Sequence, residues 1–229
     1  RTEVEELIVT GSRIQRSEYN SASPVQVITA ESSSLAGMIN PTEVLQSASV
    51  AAGSTQINNQ FTGFVVNGGG GVNTVSIRGL GDQRTLVMLN GRRLPPAGTQ
   101  GAVAAVDLNI LPDAIVERYE ILKDGASSVY GSDAVAGVVN VITRTNLDGG
   151  RLEAARRVGG GGDGGNEYTF SSAYGKVLDR GRFLISGQYY EQKALKFGDR
   201  KDLNCQEQYT FDPVTGARND WIDVDTGTY

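Results

Sequence analysis

The spacing of apolar residues changes character along this chain. Over residues 24–146 they come in short clusters with mixed periods. Val25-Gln26-Val27-Ile28 reads as a short strand. Thr29 then suits a helix N-cap, with Glu31 in the first turn beside the positive helix end, and Gly37 marks the stop. Asn40-Pro41 opens a second helix, asparagine as cap and proline at the first helical position, with Val44, Leu45 and Ala48 as its apolar face. Residues 53–74 are rich in glycine and asparagine and read as a loop. Val75-Ser76-Ile77 alternates and predicts a strand, and Thr85 to Leu89 predicts another that ends at the turn pair Asn90-Gly91. A second loop, with Pro95-Pro96 in it, covers 91–106. Ile115 to Lys123 is strand-like, Ala126 to Tyr130 is a helical turn, and Val138 to Thr143 is β-branched except for Asn140, the pattern of a buried strand. Strands and short helices mix without strict βαβ alternation, so residues 24–146 are expected to form a small α+β domain with a mixed sheet.

After Gly149-Gly150 the period becomes two. In residues 167–175, Tyr168, Phe170 and Tyr174 fall on one face and Glu167, Thr169, Ser171 and Ala173 on the other. In residues 183–191, Phe183, Ile185 and Tyr189 oppose Ser186 and Gln188. Both segments have about the length of a membrane-spanning β-strand. Lys176 to Arg182 is a short hairpin turn, and Arg151 to Val158 is a weaker strand joined to the next by Gly159 to Gly165. These antiparallel strands cannot close a barrel, and lipid does not tolerate an open edge. The expectation is that the natural chain continues, with 147–229 as the first barrel strands and a cut loop. The start at Arg1, with no apolar signal region, fits a matured chain or a piece of one.

Composition removes several classes of function. The chain has 229 residues and a formal charge of −5, the wrong sign for binding nucleic-acid backbone. Residues 199–229 hold three basic and seven acidic side chains and read as a solvated loop. There is no histidine and one cysteine, Cys205, which excludes imidazole or paired-thiolate zinc sites, histidine triads and any intrachain disulfide. Cys205 is either a free thiol or half of a disulfide with a cysteine beyond residue 229. Asp223-Val224-Asp225-Thr226-Gly227 lacks the third oxygen ligand before glycine and the distal glutamate of a calcium loop. Gly79-Leu80-Gly81 has Arg84 where a dinucleotide loop needs its third glycine. Glu117 and Glu120 carry no mark of an acid–base pair in a cleft. The expectation is no enzyme, no cofactor and no metal. With 30 glycines, many tight turns and close backbone contacts are expected.

Several motifs, in order, resemble the TonB-dependent outer-membrane transporters. Glu5-Glu6-Leu7-Ile8-Val9-Thr10-Gly11 resembles the TonB box of that family. Val75-Ser76-Ile77-Arg78-Gly79-Leu80 and Leu86-Val87-Met88-Leu89-Asn90-Gly91-Arg92-Arg93 resemble its plug signatures. Most specific is the stretch from Val116-Glu117-Arg118-Tyr119-Glu120-Ile121-Leu122-Lys123-Asp124-Gly125 through Tyr130-Gly131-Ser132-Asp133-Ala134-Val135-Ala136-Gly137 to Val138-Val139-Asn140-Val141-Ile142-Thr143. The likeness covers about residues 5–146; one departure is Ala52-Gly53 where the family usually has proline-glycine.

The resemblance implies three parts: a TonB box and linker over 1–23, a plug over 24–146, and the start of a barrel over 147–229. The plug would fill a barrel of about 22 strands. Glu6, Leu7, Ile8, Val9 and Thr10 would lie in the periplasm and add as a strand to the C-terminal domain of TonB. Arg78 and Arg118 would form an ionic lock with carboxylates of the chain's own C-terminal barrel, with Glu117 and Glu120 closing the network inside the plug. Where no barrel partner is at hand, Arg78 is expected to be solvated or paired internally. Asn58, Asn59, Gln60, Arg92, Arg93 and Gln100 would face a small-molecule or oligosaccharide substrate: a ferric siderophore, cobalamin or a glycan. The implied location is the Gram-negative outer membrane. The alternatives are a signal-transducing receptor of the same family, or a soluble glycan-binding module.

Overall fold

The computed structural model describes residues 25–38, 40–58, 71–99, 102–103, 105–159, 165–194 and 212–216. Strand β1 (Val25–Thr29) runs directly into helix α1 (Ala30–Leu35), where the Thr29 hydroxyl accepts from the Ser32 N–H at 3.2 Å. Asn40 Oδ1 accepts from the Glu43 N–H at 2.8 Å at the start of helix α2 (Pro41–Ser47). Each cap satisfies a donor that a helix start leaves open. Val44, Leu45 and Ala48 are buried, as their spacing predicts.

Five strands build one mixed sheet, in the order β1-β6-β7-β2-β3. The members after β1 are β2 (Thr85–Leu89), β3 (Arg92–Arg93), β6 (Val116–Leu122) and β7 (Gly137–Thr143). Strand β6 runs antiparallel to β1 and to β7, β2 is parallel to β7, and β3 turns back on β2. A separate ribbon pairs β4 (Gly98–Thr99) with β5 (Ala102–Val103), and helix α3 (Ser127–Tyr130) fills the connection from β6 to β7. The sheet is apolar on both faces. Val87, Tyr119, Ile121, Val139 and Val141 pack with Leu45 and Ile77 on one side. Leu86, Met88, Leu122 and Val138 pack with Val25 and Ala134 on the other. That double burial explains the near-continuous apolar run of β7.

The polar break in that run has a structural use. Asn90 (φ +51°) and Gly91 (φ +76°) make the turn from β2 to β3, and both need the left-handed region. Asn140 Oδ1 accepts from the Gly91 N–H at 2.9 Å, and Asn90 Oδ1 accepts from the Thr143 N–H at 3.0 Å. The two asparagines thus fasten the turn to the strand beside it.

Val75-Ser76-Ile77 does not form the expected strand. The segment is buried throughout, and side chains take up its backbone groups. Gln56 Nε2 donates to the Ser76 carbonyl at 2.8 Å while Gln56 Oε1 accepts from the Ser76 N–H at 3.0 Å. Gln46 Nε2 donates to the Thr74 carbonyl at 2.7 Å, and Thr85 Oγ1 accepts from the Ile77 N–H at 3.3 Å. A glutamine amide offers a donor and an acceptor, so it can replace a strand neighbour.

Strands β8 (Gly149–Arg157), β9 (Glu167–Leu178) and β10 (Gly181–Gln192) form a second sheet in the order β10-β9-β8. The β9–β10 turn is only Asp179-Arg180, which requires an antiparallel pair. By contacts the chain divides into residues 1–155 with 169–189, and residues 156–168 with 190–229. In the second unit, Arg157 pairs with buried Glu167 at 2.8 Å and Gln192 Nε2 donates to the other Glu167 oxygen at 3.1 Å. There the Arg156 guanidinium lies 5.4 Å from the centre of the Tyr168 ring.

Candidate functional site

A buried ion network lies in β6. The β6–β7 ladder has a bulge between Val116 and Arg118. Residues two apart on a strand share a face, which sets Arg118 beside Glu120, and Glu117 is its neighbour at the bulge. Arg118 Nη1 donates to Glu117 Oε1 at 3.1 Å, and Nη2 lies 2.9 Å from Glu120 Oε1. The Glu120 side chain has no exposed surface and that of Arg118 is 12% exposed. Arg118 also lines a cavity of about 510 Å3 with Arg144 and Arg182, and no carboxylate lines it among the described residues.

Arg78 is not on a strand. It sits in a turn at φ +57°, half-exposed, with Nη1 3.9 Å from Asp124 Oδ1 and 3.5 Å from the Ala136 carbonyl. Arg92 is exposed on β3. Arg93, beside it, donates to Asp133 Oδ2 and to the Tyr130 carbonyl. That hydrogen bond holds the Asp133 carboxyl below its ordinary range. Asn58 Nδ2 donates to Gln46 Oε1 at 3.3 Å. Glu6, Leu7, Ile8, Val9, Thr10, Asn59, Gln60, Gln100 and Cys205 lie outside the described residues.

The second sheet is inverted relative to a water-soluble one. Along β9, Glu167, Thr169, Ser171 and Ala173 are buried, at 1–7% exposure, while Phe170 and Tyr174 are about half exposed. On β10, Phe183, Ile185 and Tyr189 face out, and on β8 so does Leu152. The inward face is small and polar along β9, and every strand turns at least one large apolar side chain outward, although Leu184 and Tyr190 lie on the inner face of β10. No helix among the described residues is long and apolar enough to cross a membrane. That has no bearing on strands, and these have the alternation of a transmembrane barrel wall.

The family profile described as the TonB-dependent receptor plug domain matches residues 17–138, more than half of the chain. The chain belongs to the TonB-dependent receptor plug family. Solved structures show the same fold. The ferric enterobactin receptor PfeA of Pseudomonas aeruginosa is 22% identical, with a TM-score of 0.58 over 77% of this chain and 26% of that one. The siderophore receptor PirA of Acinetobacter baumannii is 23% identical, with a TM-score of 0.56 over 78% of this chain and 26% of that one. The ferric citrate transporter FecA is 23% identical, with a TM-score of 0.51 over 75% and 26%. The chain therefore spans about a quarter of the length of these structures, and the likeness covers a plug together with part of a barrel.

One polar contact in the plug chain has no counterpart among the sequence motifs. Gln188, on the inner face of β10, donates through Nε2 to Asp113 Oδ2 at 2.8 Å and accepts through Oε1 from the Asp113 N–H at 2.9 Å. Burial pushes the Asp113 carboxyl up to about 7 against the lowering effect of that Gln188 bond, and the fields of Glu153 and Glu43 add to the rise. Asp113 in turn adds to the upward shift that burial gives Tyr119. Sequence reasoning also missed Gln46 and Gln56. Nothing in their local spacing marks them, because their partners lie up to 28 residues away.

Proposed function

We propose that this chain is the plug and first wall strands of an outer-membrane transporter that imports a scarce nutrient under the pull of TonB. The observation that carries the reading is the inverted second sheet. A soluble glycan-binding module has no use for three strands with Leu152, Phe170, Ile185 and Tyr189 turned outward. In a bilayer those side chains meet lipid, while Thr169, Ser171 and Gln188 face the lumen where a plug sits. The chain performs no chemistry on its cargo in this reading.

Residues 6–10 would be the segment that TonB grips. Main-chain pairing would transmit the force, with few demands on side-chain identity. Arg118, with Glu117 and Glu120, and Arg78, beside Asp124, would be the charged joints that hold the plug in its barrel. Asn58, Asn59, Gln60, Arg92 and Gln100 would present polar groups to the cargo. Arg93, bound to Asp133 and Tyr130, would instead fix the loop that carries them. By their names, PfeA and FecA act on ferric enterobactin and ferric citrate, which favours a ferric chelate over cobalamin or a glycan.

The test is an immunoblot of fractionated source cells with antibody to this chain. A band several times heavier than 24.3 kDa in the outer-membrane fraction is expected. A soluble band near that mass would overturn the transport reading.

A further inference from the structure

We propose that Asp113 and Gln188 form a proton-dependent clamp that seats the plug against its wall strands. The names plug and wall rest on the transport reading; the contact itself is a feature of this chain alone. Asp113 opens the turn Asp113–Ile115 that leads into β6 of the plug sheet, and Gln188 comes from β10 of the wall. One amide binds both the carboxylate and the backbone N–H of the same residue, at 2.8 and 2.9 Å. That two-point fit fixes Asp113 in position and orientation against β10.

The setting disfavours charge on Asp113. It lines a cavity of about 360 Å3 between α1, α2, β6, β8 and β9. Glu43 of α2 and Glu153 of β8 both act on it unfavourably, and Tyr119 of β6 lies in the same lining. Arg151 of β8 is bonded to Glu153. Arg144, after β7, is itself disfavoured as a cation by burial and by Arg151, against the fields of Glu153, Glu31 and Glu117. No ion pair reaches Asp113 among the described residues. Two further buried atoms of the lining, Arg144 Nε and Thr169 Oγ1, have no hydrogen-bond partner, so the cavity is polar and suits water.

The sign of the coupling follows from these shifts. Seated, the Asp113 carboxyl titrates near 7; pulled free into water it returns to the ordinary 3.8. The seated form therefore binds more protons between those values. Seating has its full strength below about pH 4, loses it progressively as the pH climbs towards 7, and is weakest and level above that.

The experiment follows the Asp113 carboxyl by carbon NMR in the 229-residue chain in detergent micelles, with hydrogen exchange at the Asp113 amide as the measure of seating. After correction for intrinsic exchange, protection at that amide is expected to fall on the order of tenfold or more from pH 5 to 7, then level off. Asp113→Asn cannot ionise; it is expected to make protection independent of pH and to equal at pH 7 what the unaltered chain shows below about pH 4. Gln188→Leu is expected to expose the Asp113 amide at every pH. A carboxyl that titrates in the ordinary range, or protection that does not change with pH in the unaltered chain, would overturn the clamp even if neither variant folds. That result would leave the transport reading standing, whereas a soluble location would sink the transport reading and leave this titration untouched.

Discussion

Replacing Gly137 by alanine puts a methyl group into the most crowded backbone of the plug sheet. Gly137 starts β7 at φ +140°, a conformation side chains rarely adopt. A Cβ there would stand 2.4 Å from the Leu122 carbonyl oxygen and 2.7 Å from Ile77 Cδ1. The isoleucine methyl can turn aside. The carbonyl belongs to β6, where Leu122 is in register with Val138, so moving it disturbs the ladder. Backbone strain is worth roughly 1–3 kcal/mol and overpacking about the same again. Together that is on the order of 2–6 kcal/mol, against roughly 5–15 for a whole domain. Gly53 is the control: it lies at φ +73° with nothing within 4 Å of a Cβ, so its alanine variant carries strain alone. Urea unfolding followed by circular dichroism should place Gly137→Ala well below Gly53→Ala in stability. Equal loss in the two variants would refute the close approach between β7 and β6.

Arg118→Ala should cost about 3–5 kcal/mol, because it takes the bound cation away from a fully buried Glu120, whereas Glu117→Ala should cost under about 1 kcal/mol; a loss below about 1 kcal/mol for the arginine variant in the same unfolding assay would refute the network. Gly175→Ala should shift the segment that joins the two sheets, since its Cβ would stand 2.5 Å from the Leu147 carbonyl oxygen; faster amide exchange at residues 146–148 is expected, and unchanged rates would count against that contact. Asp133 is held low by Arg93, so the contact is in place above the ordinary carboxylate pKa of 3.8 and is lost as the pH falls through the depressed value. Carbon NMR should show the Asp133 titration return to the ordinary range in Arg93→Gln, and a midpoint that does not move would refute the pairing.

Most of the plug sheet was legible because its signals are local. Thr29 and Asn40 announce their helices by residue type and position, and both caps form the expected bonds. Asn90-Gly91 demands a turn whatever surrounds it. The β-branched run of β7 demands burial, and Asn140 reads as an anomaly until the Gly91 N–H supplies its reason. Val75-Ser76-Ile77 fails for the complementary reason. Alternation says that a segment is extended, and it is silent on what will satisfy the backbone. Here two glutamines outcompete a neighbouring strand, from positions where glutamine looks like any surface polar residue.

The wall strands mark where sequence reasoning reaches its limit. A period of two sorts Tyr168, Phe170 and Tyr174 from Glu167, Thr169 and Ser171, yet the period alone is symmetric: either set can face inward. Water would turn the aromatic set in, and lipid would turn it out. The choice depends on what lies against the polar set, and for Gln188 that is Asp113 of the plug, 75 residues away along the chain. Asp113 shows this at the scale of one side chain. In sequence it is a surface-type residue between Pro112 and Ala114, with no partner within hydrogen-bonding reach along the chain. Gln188, its partner, lies on β10, which pairs with β9 as β9 pairs with β8. The carboxyl shifts because two separately legible elements come together around it, so a functional charge of this kind follows from the assembled fold and leaves no local mark in the sequence.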